Sequence, residues 1–320
     1  MQKARICEIN DGVADRKKLP LKFRLLYFSG IGPGCATGPG SNHLTIRSTD
    51  SGEKMRTRTL SLITLIVNCL FGQNIALEQT VRTAMAGKHG TCIFMNCNTD
   101  EIIASDTVLA SERMTPCSTF KIWNTLIGAE CGIISDPDAL FYKWDGVSRF
   151  RPAWNKDQTL REAFRVSCVP AFQQLARKIG KERMTTWIET IGYGDKDISS
   201  GVDDFWLPVE GKKSIIISPN EQALLIKKLV NGKLPFSDHS LTLLKEIMLV
   251  KKTANGSFYG KTGSGTNING NPKLSIGWYV GYIVSKDTAY TFACIVTGEK
   301  VSGNDSKEII ESILIKNQFL

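Results

Sequence analysis

The sequence Pro-Cys-Ser-Thr-Phe-Lys at residues 116–121 runs directly into Ile-Trp-Asn-Thr-Leu-Ile-Gly-Ala-Glu at residues 122–130. Its apolar residues recur with helical spacing, and a proline at the start suits a first helical turn. The pattern therefore predicts a core helix with Ser118 near its N-terminus. Ser118 and Lys121 are three residues apart and share one helix face. An amine beside a hydroxyl can activate serine without histidine.

A catalytic role for this Ser-Lys pair requires a buried lysine. Lysine in water has a pKa of about 10.4, so it acts as a base near neutral pH only if burial or nearby charge lowers that value. Phe120 and Trp123 would supply part of the apolar wall. Ser-x-x-Lys also arises by chance roughly once or twice in a chain of this length, and residues 51–54 repeat it without apolar periodicity. The interpretation therefore depends on motifs farther along the chain.

Composition indicates an ordinary globular protein. The chain has 320 residues, of which 42% are hydrophobic and 22% charged, with a net charge of +9. Much of that charge lies near the start, where residues 1–54 hold nine Lys/Arg against five Asp/Glu. No basic cluster with interleaved aromatic residues follows. We therefore expect no nucleic-acid partner.

A second possible start lies at Met55. Arg56 and Arg58 precede an apolar run over residues 60–71, followed by small residues, which is the layout of a secretory signal peptide. The run is short for a membrane span, and a buried core helix is the alternative interpretation. We expect residues 1–54 to be an upstream extension outside the fold, residues 55–76 a signal peptide, and residues 77–320 an exported catalytic domain without a membrane span. The location would be periplasmic or secreted.

Cysteine and histidine usage gives no metal motif. Six cysteines follow residue 76, which permits disulfides in an exported chain but leaves their pairing open. No cysteine pair has zinc-finger spacing, and the three histidines accompany no ligand cluster. We therefore expect no metal. The oligomeric state is not indicated.

Strand patterns occur at both ends of this domain and helical patterns in its middle. A helix over 77–86 precedes strands at 91–96 and 101–105, and further strands are expected at 257–261, 274–284 and 288–297 before a last helix at 305–316. Between them the pattern predicts helices at 170–179, 181–191, 219–231 and 238–249. We expect an α+β fold: an antiparallel sheet from both chain ends (about 77–115 and 251–320), flanked by helices, with a helical part inserted (about 116–250).

Three more motifs lie in this region. They are Ser-Cys-Val at residues 167–169, Tyr-Gly-Asp at 193–195 and Lys-Thr-Gly at 261–263. Separately, the first could be a helix cap and the second a turn. Glycines before Lys261 suggest a phosphate loop, but their spacing is one residue short and no helix pattern follows. The Gly-x-Ser-x-Gly motif of a nucleophile elbow is absent from the sequence.

Taken together, Ser118-x-x-Lys121, Ser167-x-Val169, the Tyr193 motif and the Lys261 motif resemble the class D (oxacillinase-type) serine β-lactamases. Similar stretches surround them at residues 142–146, 154–157, 159–160, 169–173, 175–177, 205–207 and 277–281. The resemblance covers roughly residues 90–315. It implies a penicillin-recognising serine enzyme whose partner is a small β-lactam.

The resemblance also implies a role for each motif. Ser118 would attack the β-lactam carbonyl, and Lys121, carbamylated by carbon dioxide (N6-carboxylysine), would be the base in acylation and deacylation. No other cofactor is implied. Ser167 and Lys261 would pass a proton to the departing ring nitrogen. Supporting residues would complete the site: Trp206 as a donor to the carbamate, Val169 as its shield, backbone N–H groups of Ser118 and Ser264 as the oxyanion hole, and Thr262, Gly263 and Tyr193 as substrate-binding or supporting residues.

Two positions depart from the family. Asp195 stands where the family usually has asparagine, and Lys307 stands where an arginine often pairs with the substrate carboxylate. A lysine would pair as a point charge rather than as a fork. Two other functions share the same motifs: a penicillin sensor or transpeptidase-like protein that is acylated without efficient turnover, and an exported binding module that would tolerate loss of Ser118. The range of β-lactams hydrolysed is left open.

Overall fold

The computed structural model describes residues 75–266, 271, 273–285 and 288–320. The predicted upstream extension and residues 55–74 of the predicted signal peptide lie outside them. Helix α1 covers residues 75–85, at the start of the described part. No helix among the described residues is long and apolar enough to cross a bilayer.

A six-stranded antiparallel sheet forms the body of the domain. Its strand order is β2-β1-β8-β7-β6-β5. The strands are β1 (Gly90–Asn96), β2 (Ile102–Ala104), β5 (Leu249–Lys252), β6 (Gly256–Gly265), β7 (Ser275–Ser285) and β8 (Ala289–Gly298). Phe94 of β1 pairs with Phe292 of β8, so strands from the two ends of the chain are neighbours within the open sheet. This confirms the predicted fold class.

Helices cover both faces of the sheet. Alternate residues of β1 point to opposite faces, so Phe94 and Ile93 lie in different apolar clusters. On one face, α1 and α8 (Gly303–Lys316) pack against the cluster that contains Phe94. On the other, α6 (Pro219–Val230) contacts β1 and β8. Helix α6 therefore lies on the sheet, although its sequence falls within the predicted helical part.

The remaining helices pack around one central helix. This is α2 (Lys121–Glu130), preceded by a 3₁₀ turn at Cys117–Phe120. Nine of its ten residues are buried, because α4 and α7 lie against it while the 3₁₀ turn contacts β6 and β7. The surrounding helices are α3 (Leu160–Arg165), α4 (Val169–Ile179), α5 (Lys181–Ile191) and α7 (Asp238–Met248).

Three short strands were not predicted from the sequence. Strands β3 (Leu140–Tyr142) and β4 (Gln158–Thr159) form a separate two-stranded sheet. Strand β5 follows α7 directly, and all four of its residues are exposed. An exposed edge strand has no apolar alternation to reveal it, because neither face is fully covered.

Candidate active site

The 3₁₀ turn and α2 place Ser118 beside Lys121. Lys121 Nζ lies 2.7 Å from Ser118 Oγ, within hydrogen-bonding distance. Lys121 is fully buried, whereas Ser118 is 8% exposed and lines a cleft. The residue before the serine, Cys117, has a backbone φ of 51°, in the left-handed region that non-glycine residues seldom adopt. This bend turns the serine toward the cleft wall while the lysine enters the core.

The surroundings of Lys121 favour its neutral form. Burial lowers the pKa of Lys121 to about 7, and the positive charge of Arg151 also lowers it. Its Nζ lies 5.3 Å from the centroid of the Phe172 ring. A substantial fraction of the amine is thus unprotonated at neutral pH, as a base requires.

Among the buried polar groups of the helical part that have no hydrogen-bond partner in the described residues, two are N–H donors. They are the indole Nε1 of Trp206 and the amide of Asn124, both fully buried. Asn124 follows Lys121 by three residues on α2 and so lies on the same face. The Trp206 ring stacks on Phe120, with 5.7 Å between ring centroids. Buried polar groups without partners are uncommon, so both donors are available to a further polar group.

Ser167 and Lys261 form a second serine-lysine pair. Lys261 Nζ donates to Ser167 Oγ at 3.0 Å and to the Thr262 carbonyl at 2.8 Å. Burial holds the pKa of Lys261 well below its usual range, and the nearby charges of Lys121 and Arg151 act in the same direction. Ser167 also has a positive φ, of 55°. Residues in such strained conformations often occur at functional sites.

The glycine of Lys-Thr-Gly allows β6 to approach the nucleophile. A Cβ on Gly263 would lie 2.9 Å from the Pro116 carbonyl oxygen and 3.2 Å from the Thr119 nitrogen, closer than ordinary contacts. Only a residue without a side chain fits there unless the backbone moves. Ser264, one residue further, accepts a hydrogen bond from the Gly303 N–H through its Oγ at 2.8 Å.

The cleft in front of Ser118 has a volume of about 220 Å³. One wall comes from the helical part and the other from β6 and the start of α8. The described lining residues are Ser118, Phe150, Arg151, Trp154, Ser167, Val169, Thr262, Ser264, Ser302 and Asn304. Sequence reasoning missed Arg151 and Asn304, whose immediate neighbours carry no motif. It also missed Asn124, which the three-residue spacing from Lys121 could have revealed.

Three of the candidate residues lie away from this cleft. Tyr193 is fully buried against Phe120, with ring centroids 5.1 Å apart, so it supports the 3₁₀ turn. Lys307 lines a neighbouring cavity and lies 3.7 Å from the Glu311 carboxylate. Trp206 lies in the core. Asp195 holds its own loop, because its Oδ1 accepts from the Ile216 N–H at 3.1 Å.

A family model described as the penicillin binding protein transpeptidase domain matches residues 81–315. The chain therefore contains a domain of the penicillin-binding-protein transpeptidase family. Within the described ranges, no group of three or more His, Cys, Asp or Glu side chains is placed to hold a metal ion.

Comparison with individual relatives identifies a more specific family within this group. The probable β-lactamase YbxI of Bacillus subtilis is 38% identical over 227 residues, which are 71% of this chain and 80% of that protein. A solved structure of a class D β-lactamase from Bacillus subtilis is 37% identical, with a TM-score of 0.68 over 75% of this chain and 96% of its own. The chain belongs to the class D serine β-lactamases. The regulatory protein BlaR1 of Bacillus licheniformis is also similar, at 32% identity over 71% of this chain and 36% of its own length.

Proposed function

We propose that this enzyme hydrolyses β-lactam antibiotics through an acyl-enzyme on Ser118, with Lys121 in its carbamylated form as the general base of both steps. The observation that carries the proposal is the 2.7 Å separation of Lys121 Nζ and Ser118 Oγ in a buried pocket. The lowered pKa, about 7, supplies neutral amine at physiological pH. A protonated lysine would be unable to accept the serine proton.

The surroundings fit a carbamate on Lys121. Carbon dioxide reacts with a neutral amine, releasing one proton, and the resulting carboxylate supplies a base to the serine. Trp206 Nε1 and the Asn124 amide are buried donors without partners among the described residues. A buried carboxylate needs such donors to offset its desolvation. Val169, on the cleft wall, would limit water access.

The other residues then have defined tasks. Ser118 Oγ bonds to the β-lactam carbonyl carbon as its proton passes to the base, and the ring C–N bond breaks. Ser167 donates a proton to the released nitrogen and is resupplied by Lys261. Backbone N–H groups of Ser118 and Ser264 stabilise the carbonyl oxygen as it becomes negative. Water, deprotonated by the same base, then displaces Ser118 from the ester.

A penicillin sensor is the second candidate, favoured by the similarity to BlaR1. The two functions differ in deacylation. Purified residues 77–320 should turn over benzylpenicillin many times per active site, followed by product absorbance and intact mass. A single stoichiometric burst with a lasting adduct would instead assign the sensor function. Absence of any adduct would assign a binding module.

Export from the cytoplasm is a further part of the proposal, supported by the pattern that starts at Met55. The N-terminus of the mature protein should lie near residues 73–77, as determined by mass spectrometry of protein from its native cell. Peptides from residues 1–54 in that product would contradict it.

A further inference from the structure

The cleft has one cationic residue at its rim that the proposed mechanism does not use. Among the described lining residues, Arg151 alone carries a charged side chain. The opposite wall offers neutral hydroxyl and amide groups from Thr262, Ser264 and Asn304. Lys307, expected from the sequence to meet the substrate carboxylate, lines a different cavity beside Glu311. The positive charge that faces the substrate is therefore on the helical side of the cleft.

Aromatic rings and a braced loop position this arginine. The Arg151 guanidinium carbon lies 5.5 Å from the ring centroids of both Phe150 and Trp154. Trp154 is itself fixed, because its Nε1 donates to the Val166 carbonyl at 3.1 Å. The Asn155 amide closes the loop, accepting from the Arg149 N–H at 2.9 Å. Contacts with aromatic faces hold an arginine without neutralising its charge.

Arg151 also differs from its neighbours in having no acidic partner. Arg149 pairs with Asp145 and Arg161 with Asp138, whereas no carboxylate of the described residues lies within ion-pair distance of Arg151. Its charge nonetheless reaches the reaction centre, since it lowers the pKa of both Lys121 and Lys261. An unpaired, pre-positioned guanidinium at a cleft rim is suited to bind a carboxylate in bidentate fashion.

We propose that Arg151 binds a carboxylate of the β-lactam and thereby sets the enzyme's preference for anionic substrates. The proposal rests on the function proposed above and adds the residue that recognises substrate charge. Two carboxylates are chemically available: the one on the bicyclic ring system, and a second one on the acyl side chain of some penicillins. Both offer the same chemistry to the guanidinium.

The test compares Arg151→Gln with the parent protein on three penicillins. Benzylpenicillin has the ring carboxylate, its methyl ester has none, and carbenicillin has a second carboxylate on the side chain. Acylation rate constants from intact-mass measurements serve alongside kcat/KM, so the result does not depend on turnover. The matched control is Arg165→Gln, an exposed arginine of α3 that does not line the Ser118 cleft.

Arg151→Gln should slow acylation by benzylpenicillin about ten- to a hundredfold, mainly by raising KM, as loss of a charge-assisted contact implies. Its acylation rate constant with the methyl ester should stay within about twofold of the parent value. Arg151→Lys should recover part of the loss, and Arg165→Gln should match the parent. A loss confined to carbenicillin would assign the contact to the side-chain carboxylate. Equal losses for acid and ester would mean that Arg151 acts only through the lysine pKa values and would overturn the proposal, as would no loss at all. Acylation without turnover would contradict the proposed hydrolysis alone.

Discussion

The two serine-lysine pairs of this enzyme are assembled in different ways. Ser118 and Lys121 are three residues apart on one helical stretch, whereas Ser167 and Lys261 are 94 residues apart and come from a loop before α4 and from strand β6. Both lysines are buried and have lowered pKa values. The first pair needs only a local helix, while the second exists only when the helical part and the sheet are packed together.

This difference separates two kinds of vulnerability. Damage to the first pair should remove chemistry without disturbing the fold, because α2 is a continuous helix held on all sides. The second pair should also be lost through changes in packing, because its geometry depends on how closely β6 approaches the 3₁₀ turn. Gly263 controls that approach.

The largest expected effect is on the first pair. Lys121→Ala should slow deacylation at least about a hundredfold, because a general base contributes 10²–10⁴-fold, and Ser118→Ala should form no adduct. In the parent protein, activity should fall as the pH drops below 7, where the Lys121 amine is protonated, and added bicarbonate should restore it. Stopped-flow assays with mass analysis would measure both.

The carbamate assignment fails if bicarbonate has no effect at low pH and Lys121→Ala deacylates at the parent rate. Lys307→Ala, outside the Ser118 cleft, is the control and should deacylate normally.

The second effect concerns stability. Below pH 7 Lys121 is protonated in both the folded and the unfolded protein. In the folded protein its ammonium group is buried, whereas in the unfolded protein it is hydrated, so the charge destabilises the folded state. The destabilisation is complete below pH 7 and disappears as the pH rises toward the unfolded pKa of about 10.4. Lys121→Met should therefore raise the free energy of unfolding by about 3–5 kcal/mol at pH 6, with a shrinking gain up to pH 10.

Denaturant unfolding in buffer free of carbon dioxide would measure this difference. The exposed Lys245→Met should change stability by less than about 0.5 kcal/mol at either pH. A Lys121→Met protein that is less stable than the parent at pH 6 would show that the buried Lys121 ammonium does not destabilise the folded state.

The third effect tests the second pair. Lys261→Met should lower the acylation rate about a hundredfold, since in the proposed mechanism Lys261 resupplies the proton of Ser167. Deacylation of preformed adduct should change less, because the proposed base for water is Lys121. Single-turnover kinetics separate the two steps, and an equal loss in both would contradict the assigned division of labour.

The smallest expected effect concerns the contact between strand β6 and the 3₁₀ turn. Gly263→Ala should lower kcat about tenfold and stability by about 1–2 kcal/mol, because its Cβ would meet the Pro116 carbonyl and displace β6. Gly128→Ala is the control for activity: the three atoms nearest to its Cβ would be side-chain ends of Ile134 and Leu175 rather than backbone, and they lie away from the Ser118 cleft. If Gly263→Ala keeps full activity, the approach of β6 does not set the geometry.

Sequence reasoning found the two pairs unequally. Helical spacing alone predicted that Ser118 lies near Lys121, since residues i and i+3 are neighbours on a helix face. No local pattern could join Ser167 to Lys261, and only the resemblance to a family did so. For the same reason, the sequence could not predict that Arg151 lines the cleft or that Lys307 lies outside it. They depend on how a loop and α8 are oriented in the folded protein, which periodicity does not encode.

The pairing of β1 with β8 has a consequence for how this chain is made. Phe292 is synthesised roughly 200 residues after Phe94, so β1 has no partner on its β8 side until then. At a synthesis rate of about 5–20 residues per second, β1 and β2 stay without that neighbour for roughly 10–40 s. Contacts so distant along the chain also slow folding itself. The exposed strand edge during that interval is a natural target for chaperones and for misassembly between nascent chains.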